Sequence, residues 1–309
     1  MENASTESRS VFGKITREVI DAITETSLRK SAERNDPIKT LYHYTKQDGL
    51  LGILEDRSVW ATHHLALNDR MEFRHGTEIF LKVLENHNAE DPIWGCMWNV
   101  ATLEPALEAE NVNLFVASFS AVGDRLSQWR GYGDFSLGFE REKMMFSEDF
   151  RLVPCVYDSK LQEEYLEMLA QKIHDGIKVG EPPVTGAPSN KTSDETTVRP
   201  YLWLLHQVAL LFKDTGFSEE REWRIISQVP WMNDHPRIRF RRGNSGPVPY
   251  TRVTLGSTQV APGERNLPLA QVILGPSCSS ATEKFLKILL AQKDLPRVEV
   301  RKSAIPFRG

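Results

Sequence analysis

The chain has little of what most metal and redox sites require. Its 309 residues include only three cysteines, Cys96, Cys155 and Cys278. They are far apart, each sits among apolar neighbours, and no pair has zinc-site spacing. Reduced, structural thiols in a cytoplasmic protein are the expectation. Long apolar runs are missing as well: no stretch approaches the roughly 18 residues needed to cross a bilayer, so no membrane contact is expected. The opening MENASTESRS lacks a basic-then-apolar pattern, and no secretory leader is expected. No Walker loop, Gly-x-Gly-x-x-Gly, His-Glu-x-x-His or Gly-x-Ser-x-Gly occurs. P-loop ATP hydrolysis, Rossmann dinucleotide binding, zincin proteolysis and the common serine esterase are therefore poorly supported. Nor is there a charge excess. Thirty-eight Lys and Arg stand against 42 Asp and Glu, a net of −4. This argues against holding duplex DNA or an anionic membrane by bulk charge, while a local basic groove stays compatible with it.

What is present is an ordinary globular composition, 40% hydrophobic and 26% charged. Residues 1–36 read as a helical N-terminal extension peripheral to the rest, with Val11, Phe12, Ile15, Val19, Ile20 and Ile23 at helical period. Residues 37–309 read as a single α+β domain. Short strands are expected at 40–45, 59–62, 113–120, 135–139, 152–157, 220–229, 237–241, 248–255, 270–274 and 297–301. Helices are expected at 48–54, after Asp69, at 103–107, 125–132, 160–177 and 201–212. Ser280 and Glu283 form a capping box for a last helix ending near Gln292. The pattern predicts a mixed or mainly antiparallel sheet, split and flanked by helices. Residues 179–197, rich in Pro, Gly, Ser and Thr, form the clearest loop.

Three segments carry chemistry. In LYHYT, strand alternation puts His43 and Thr45 on one face, and Tyr42 and Tyr44 on a bulkier one. In the segment 115–132, Ser118 and Ser120 end a strand, and a short helix displays Ser127, Gln128, Trp129, Arg130 and Tyr132. A hydroxyl beside flat rings suits a planar, amide-bearing heterocycle. In EEREWRI, alternation aligns Glu220, Glu222 and Arg224 on one face. Two carboxylates so close repel unless a cation or polar ligand lies between them, and a carboxylate there can steady a cationic sugar transition state. Each segment alone reads more simply as core or as a solvated edge. A fourth cluster, His63, His64, Asp69, Glu72 and His75, has ligand types for a divalent metal. Asp69 and Glu72 are better explained as helix-start groups, and adjacent His63 and His64 should point apart on a strand, so no metal is expected.

In their order, the three segments resemble the plan of ADP-ribosyltransferases. His43-Tyr44-Thr45 is similar to the first-strand motif, the stretch from Ser118 and Ser120 to Tyr132 to the middle motif, and Glu220-Arg221-Glu222 to the catalytic strand. At a closer level LYHYT, GIL, VWAT, LNDRMEF, SFS, LSQWRGYG, LGFE, EEREWRI and VILG, spread over 41–275, resemble the bacterial DUF2971 family. The first resemblance implies an ADP-ribosyltransferase-like fold and NAD as substrate. The activity implied is transfer of ADP-ribose to an unknown macromolecule (protein or nucleic acid) or to water, as an NAD glycohydrolase. Toxicity or anti-phage defence would be a natural setting for such chemistry. By that resemblance His43 bonds the adenosine-side ribose while its neighbours hold the nicotinamide amide. Ser127 or Ser120 assists that amide, Trp129 or Tyr132 stacks on the ring, Glu222 stabilises the oxocarbenium, and Glu220 orients the acceptor. Two other functions fit the residues: a metal-dependent nuclease using Glu220, Glu222 and the His63 to Glu72 cluster, and a non-catalytic nucleotide-binding sensor.

Overall fold

The apolar alternation that marks strands in the sequence resolves into one ten-stranded sheet. The computed structural model describes residues 3–67, 70–87, 90–103, 113–179, 198, 202–228, 233–243, 246–256 and 267–306. In chain order the elements begin with α1 (Asn3–Glu33), β1 (Thr40–Thr45), α2 (Gln47–Asp56), β2 (Ser58–His63), α3 (Arg70–Glu85) and α4 (Pro92–Leu103). The middle holds β3 (Phe115–Ser120), α5 (Leu126–Tyr132), β4 (Phe135–Glu140), β5 (Phe150–Pro154), α6 (Ser159–Lys178) and α7 (Leu202–Ala209). The last third holds β6 (Glu222–Ser227), β7 (Arg239–Arg242), β8 (Pro247–Thr254), β9 (Leu269–Leu274), α8 (Ser280–Gln292) and β10 (Glu299–Lys302). The fold is α+β: a mixed, mostly antiparallel open sheet flanked by helices. β10 and β9 pair in parallel, and the other strand pairs among the described residues are antiparallel.

The strand order is β10-β9-β4-β1-β3-β2-β8-β7, with β6 paired to β3 and β5 paired to β6. The branch at β3 shapes the molecule. One edge of β3 pairs with β6 in unbroken register from Val116↔Ile226 to Ser120↔Glu222. Two strands share its other edge. β1 touches it at Tyr42↔Ser120, and β2 at Thr62↔Val116 and His63↔Phe115. Between those contacts β1 and β2 diverge, and, among the described residues, 117–119 have no strand partner on that side.

Helices cover both faces. On one, Ile15, Val19, Ile20 and Ile23 of α1 are sealed into a core with α3, α4, α6 and α7 over Val116, Val153 and Ile226. The N-terminal helix is thus integral to the core, not peripheral. Its apolar stripe alone cannot stay dry, and α6, α7 and β5 lie beside it. On the other face α2 and α8 cover Leu41, Val59, Phe119 and Ile225. Local rules explain the helix starts. Asp158 accepts from the amides of Lys160 and Leu161 to begin α6. The cap of α8 lies one residue before the expected one: Ser279, not Ser280, is extended and accepts from Thr282 N at 3.2 Å. Glu283 instead pairs with Lys287 one turn on, at 2.7 Å.

Among the described residues no helix is long and apolar enough to cross a membrane. Among the described residues Cys96, Cys155 and Cys278 form no disulfide, and the first two are buried. The 179–197 loop from residue 180 onward, the 104–107 part of an expected helix, Asp69 and the side chain of Glu72 lie outside the described residues.

Candidate functional site

The divergence of β1 and β2 opens a cavity of about 970 Å³. Three of its walls come from distant parts of the chain. Along β1 stand His43, Tyr44 and Thr45; on β3 stand Ser118 and Ser120; from the far edge come Glu220, Glu222 and Arg224; and Tyr132 joins from α5. Of the expected site residues only Ser127, Trp129 and Arg130 are not part of the lining.

His43 sits where β1 leaves β3. Among the described residues the backbone carbonyl of Ser118 has no strand donor on this side, and His43 Nδ1 bonds it at 2.9 Å. A carbonyl only accepts, so Nδ1 carries the proton and Nε2 of the neutral ring is an acceptor. Burial pushes the imidazole pKa down, against the Ser118 bond. His43 packs beside Phe119, while Tyr44 turns the other way, edge-on to Trp129 at 4.8 Å. The alternation expected for LYHYT is therefore present. The Tyr44 hydroxyl donates to Val122 O at 2.8 Å and accepts from Arg125 N, so it serves to position α5.

The short helix α5 distributes its residues over three faces. Arg125, just before it, and Ser127 both bond the exposed carboxylate of Glu219, each at 2.9 Å. Arg130 is exposed. Trp129 is buried, donates from Nε1 to Asp124 at 2.9 Å and packs with Tyr44 and Ile273. The third face, Gln128, Gly131 and Tyr132, lines the cavity. Of the two rings offered by the sequence, Tyr132 is thus the one that faces the cavity. The helix ends at Gly133, whose φ of 129° and closeness to the Thr45 carbonyl admit no side chain.

Ser120 is held by the fold: its hydroxyl donates to Glu220 O at 2.6 Å and accepts from Val122 N. Glu220 and Glu222 do not lie on one regular strand. Glu220 ends a 3-10 turn, Arg221 adopts a left-handed φ of 45°, and β6 starts only at Glu222. Both carboxylates nonetheless converge on Lys213, whose Nζ bonds Glu220 Oε2 and Glu222 Oε2, each at 2.6 Å. Arg224 completes the group, with Nε on Glu222 Oε1 at 2.7 Å and Nη2 on Oε2 at 3.3 Å. Burial works to raise the Glu222 pKa, but the charges and hydrogen bonds of Arg224 and Lys213 prevail and hold it at about 2. Glu222 is therefore an ionised carboxylate at the cavity wall. Burial, then the charges of Glu222 and Glu220, push the Tyr132 phenol up.

Lys213 was missing from the sequence reading. Its only signal was a lone cation closing the apolar run YLWLLHQVALLF, where a buried charge needs a partner. Arg241 and Arg242 of β7, together with Lys46, add positive charge to the lining, and Arg241 Nη2 donates to Thr62 at 3.2 Å. The histidines of the candidate metal cluster behave otherwise than expected. β2 ends at His63, and a 3-10 turn follows, so the rings of His63 and His64 lie 4.6 Å apart instead of diverging. His63 bonds Asn113, and His75 bonds Gln162. Among the described residues no group of three or more His, Cys, Asp or Glu is arranged to hold a metal.

No protein-family model, curated protein or solved structure matches this chain. The chemistry of the site rests on its own residues: a neutral histidine acceptor, a phenol on a helix face, an ionised carboxylate between two cations, and a basic rim.

Proposed function

We propose that the cavity binds NAD and that the chain cleaves its N-glycosidic bond, as an ADP-ribosyltransferase or NAD glycohydrolase. One observation carries this: His43, Tyr132 and Glu222, separated by about ninety residues at each step, line a single cavity. Its volume suits a nucleotide-sized ligand, and Lys46, Arg241 and Arg242 supply charge for a pyrophosphate. His43 Nε2 accepts a ribose hydroxyl, and Tyr132 stacks on the nicotinamide ring. Glu222, ionised through the working pH range, faces the positive charge that builds on the ribose as the C1′–N bond breaks and its electron pair leaves with nicotinamide. The nucleophile, water or an acceptor group, oriented by Glu220, then adds to C1′ and gives its proton to solvent water. Toxin or anti-phage activity in the cytoplasm would follow naturally from such NAD consumption.

The engagement of Glu222 favours a second reading. A carboxylate has about four acceptor positions. Among the described residues, Arg224 and Lys213 fill three at Glu222 through the bonds above. A carboxylate so clamped also serves a nucleotide-binding sensor without turnover. Incubation with NAD, scored by nicotinamide release and by thermal shift, separates the readings. Release that falls at least about a hundredfold in Glu222→Gln supports the enzyme. Stabilisation without release supports the sensor, and neither effect in the wild-type protein sinks both.

A further inference from the structure

The cavity face of α5 carries a polar group that the fold leaves unused. Gln128 is 7% exposed and lines the cavity. Among the described residues its carboxamide makes no hydrogen bond, and its oxygen and nitrogen are not among the sealed polar atoms, so they reach the space of the cavity. The helix around it is pinned on its other two sides. Outside, Arg125 and Ser127 hold Glu219; inside, Trp129 holds Asp124 and packs on Tyr44. Gln128 is therefore presented on a fixed element. One turn on, Tyr132 supplies a ring, and at the intervening Gly131 an added Cβ would meet open space. An amide, a gap and a phenol share one helix face at spacings i, i+3 and i+4.

We infer that Gln128 is a specificity-determining residue that recognises the carboxamide of the nicotinamide ring lying over Gly131 against Tyr132. The inference rests on the proposed NAD reading and names the group by which that site tells its ligand from near relatives. A glutamine side chain offers a donor and an acceptor side by side, the complement of another primary amide. A nicotinate carboxylate offers only acceptors. One of its oxygens would face the glutamine oxygen with like polarity, so the acid form is rejected by repulsion as well as by a lost bond.

The test measures dissociation constants by calorimetry for NAD and for nicotinic acid adenine dinucleotide, on the wild-type chain and on Gln128→Leu and Gln128→Glu. The expected result is wild-type binding of NAD at least about tenfold tighter than of the acid form. In both variants NAD affinity falls by about that factor and the preference collapses, while a melting-temperature check shows the fold intact. Equal wild-type affinity for the two dinucleotides overturns the inference without reference to any variant. So does a preference that survives in Gln128→Leu. In both cases NAD binding, and with it the proposed function, still stands. Binding of neither dinucleotide by the wild-type chain removes both together.

Discussion

The two edges of β3 meet opposite fates. On one, β6 pairs from Val116 to Ser120 without interruption. On the other, β1 and β2 share the strand and part company over residues 117–119. At the continuous edge the backbone is satisfied by strand bonds, and the side chains of Glu222 and Arg224 are locked beside Lys213. At the divided edge a backbone carbonyl is left for His43, and space opens beside it. The same strand thus borders an ion-paired wall on one side and an open mouth on the other. In this sheet the space comes from the divided edge and the charged lining from the paired one.

If this contrast is right, damage at the continuous edge should read mainly as lost stability. Arg224→Leu leaves buried Glu222 with Lys213 alone and also removes the Arg224 bond to Leu210 O. A loss of about 3–5 kcal/mol in urea unfolding is expected. A value near zero would show that the wall is solvated and the contrast false.

Acid probes the same wall. The Glu222 pKa is depressed from 4.5 to about 2. Its contribution is therefore fully present above pH 4.5 and drains away as pH falls toward 2. It amounts to on the order of 3 kcal/mol. Urea midpoints recorded across that window should fall more steeply for the wild type than for Glu222→Gln, and parallel curves would contradict the assignment.

At the divided edge the expected effects are smaller and shared with ligand affinity. His43→Ala strands the Ser118 carbonyl at a cost of about 1–3 kcal/mol. Because burial lowers the His43 pKa, the stability it brings is present above pH 6.5 and lost as pH drops through its lowered value. Denaturation of wild type and His43→Ala at pH 7.5 and 5.5 should therefore give a gap that narrows in acid. A gap that widens would mean a charged partner faces the ring. Smallest of all, Ser127→Ala removes only an exposed bond to Glu219. It should change stability by less than about 0.5 kcal/mol and leave nucleotide affinity unchanged in the same calorimetric titration, since Ser127 lies outside the cavity.

Much of the fold was legible because its signals are local. The period of residues 160–177 announces α6, and alternation announces β1, β3 and β4, whereas the Asp158 cap of α6 was not read. The misreadings arose where a single residue decides. Arg221 adopts a left-handed conformation that breaks the expected strand before Glu222, and Ser279 captures the cap predicted for Ser280. The helical period of α1 was visible, but its burial was not, since burial depends on α6 and α7 more than a hundred residues away. In the candidate site, the helical spacing of α5 offered Trp129 and Tyr132 alike, and only packing on Tyr44 turned Trp129 inward. Lys213 had no spacing relation to Glu220 or Glu222 that a sequence could display.

The sequence by itself determined the elements and the residue types, because hydrogen bonding within a turn, side-chain alternation and capping act over a few positions. Which of those residues share a wall was decided only by the tertiary structure. The divergence of β1 from β2 is a property of three strands at once, and the state of Glu222 depends on two cations brought to it through space, whose fields no run of neighbouring residues encodes.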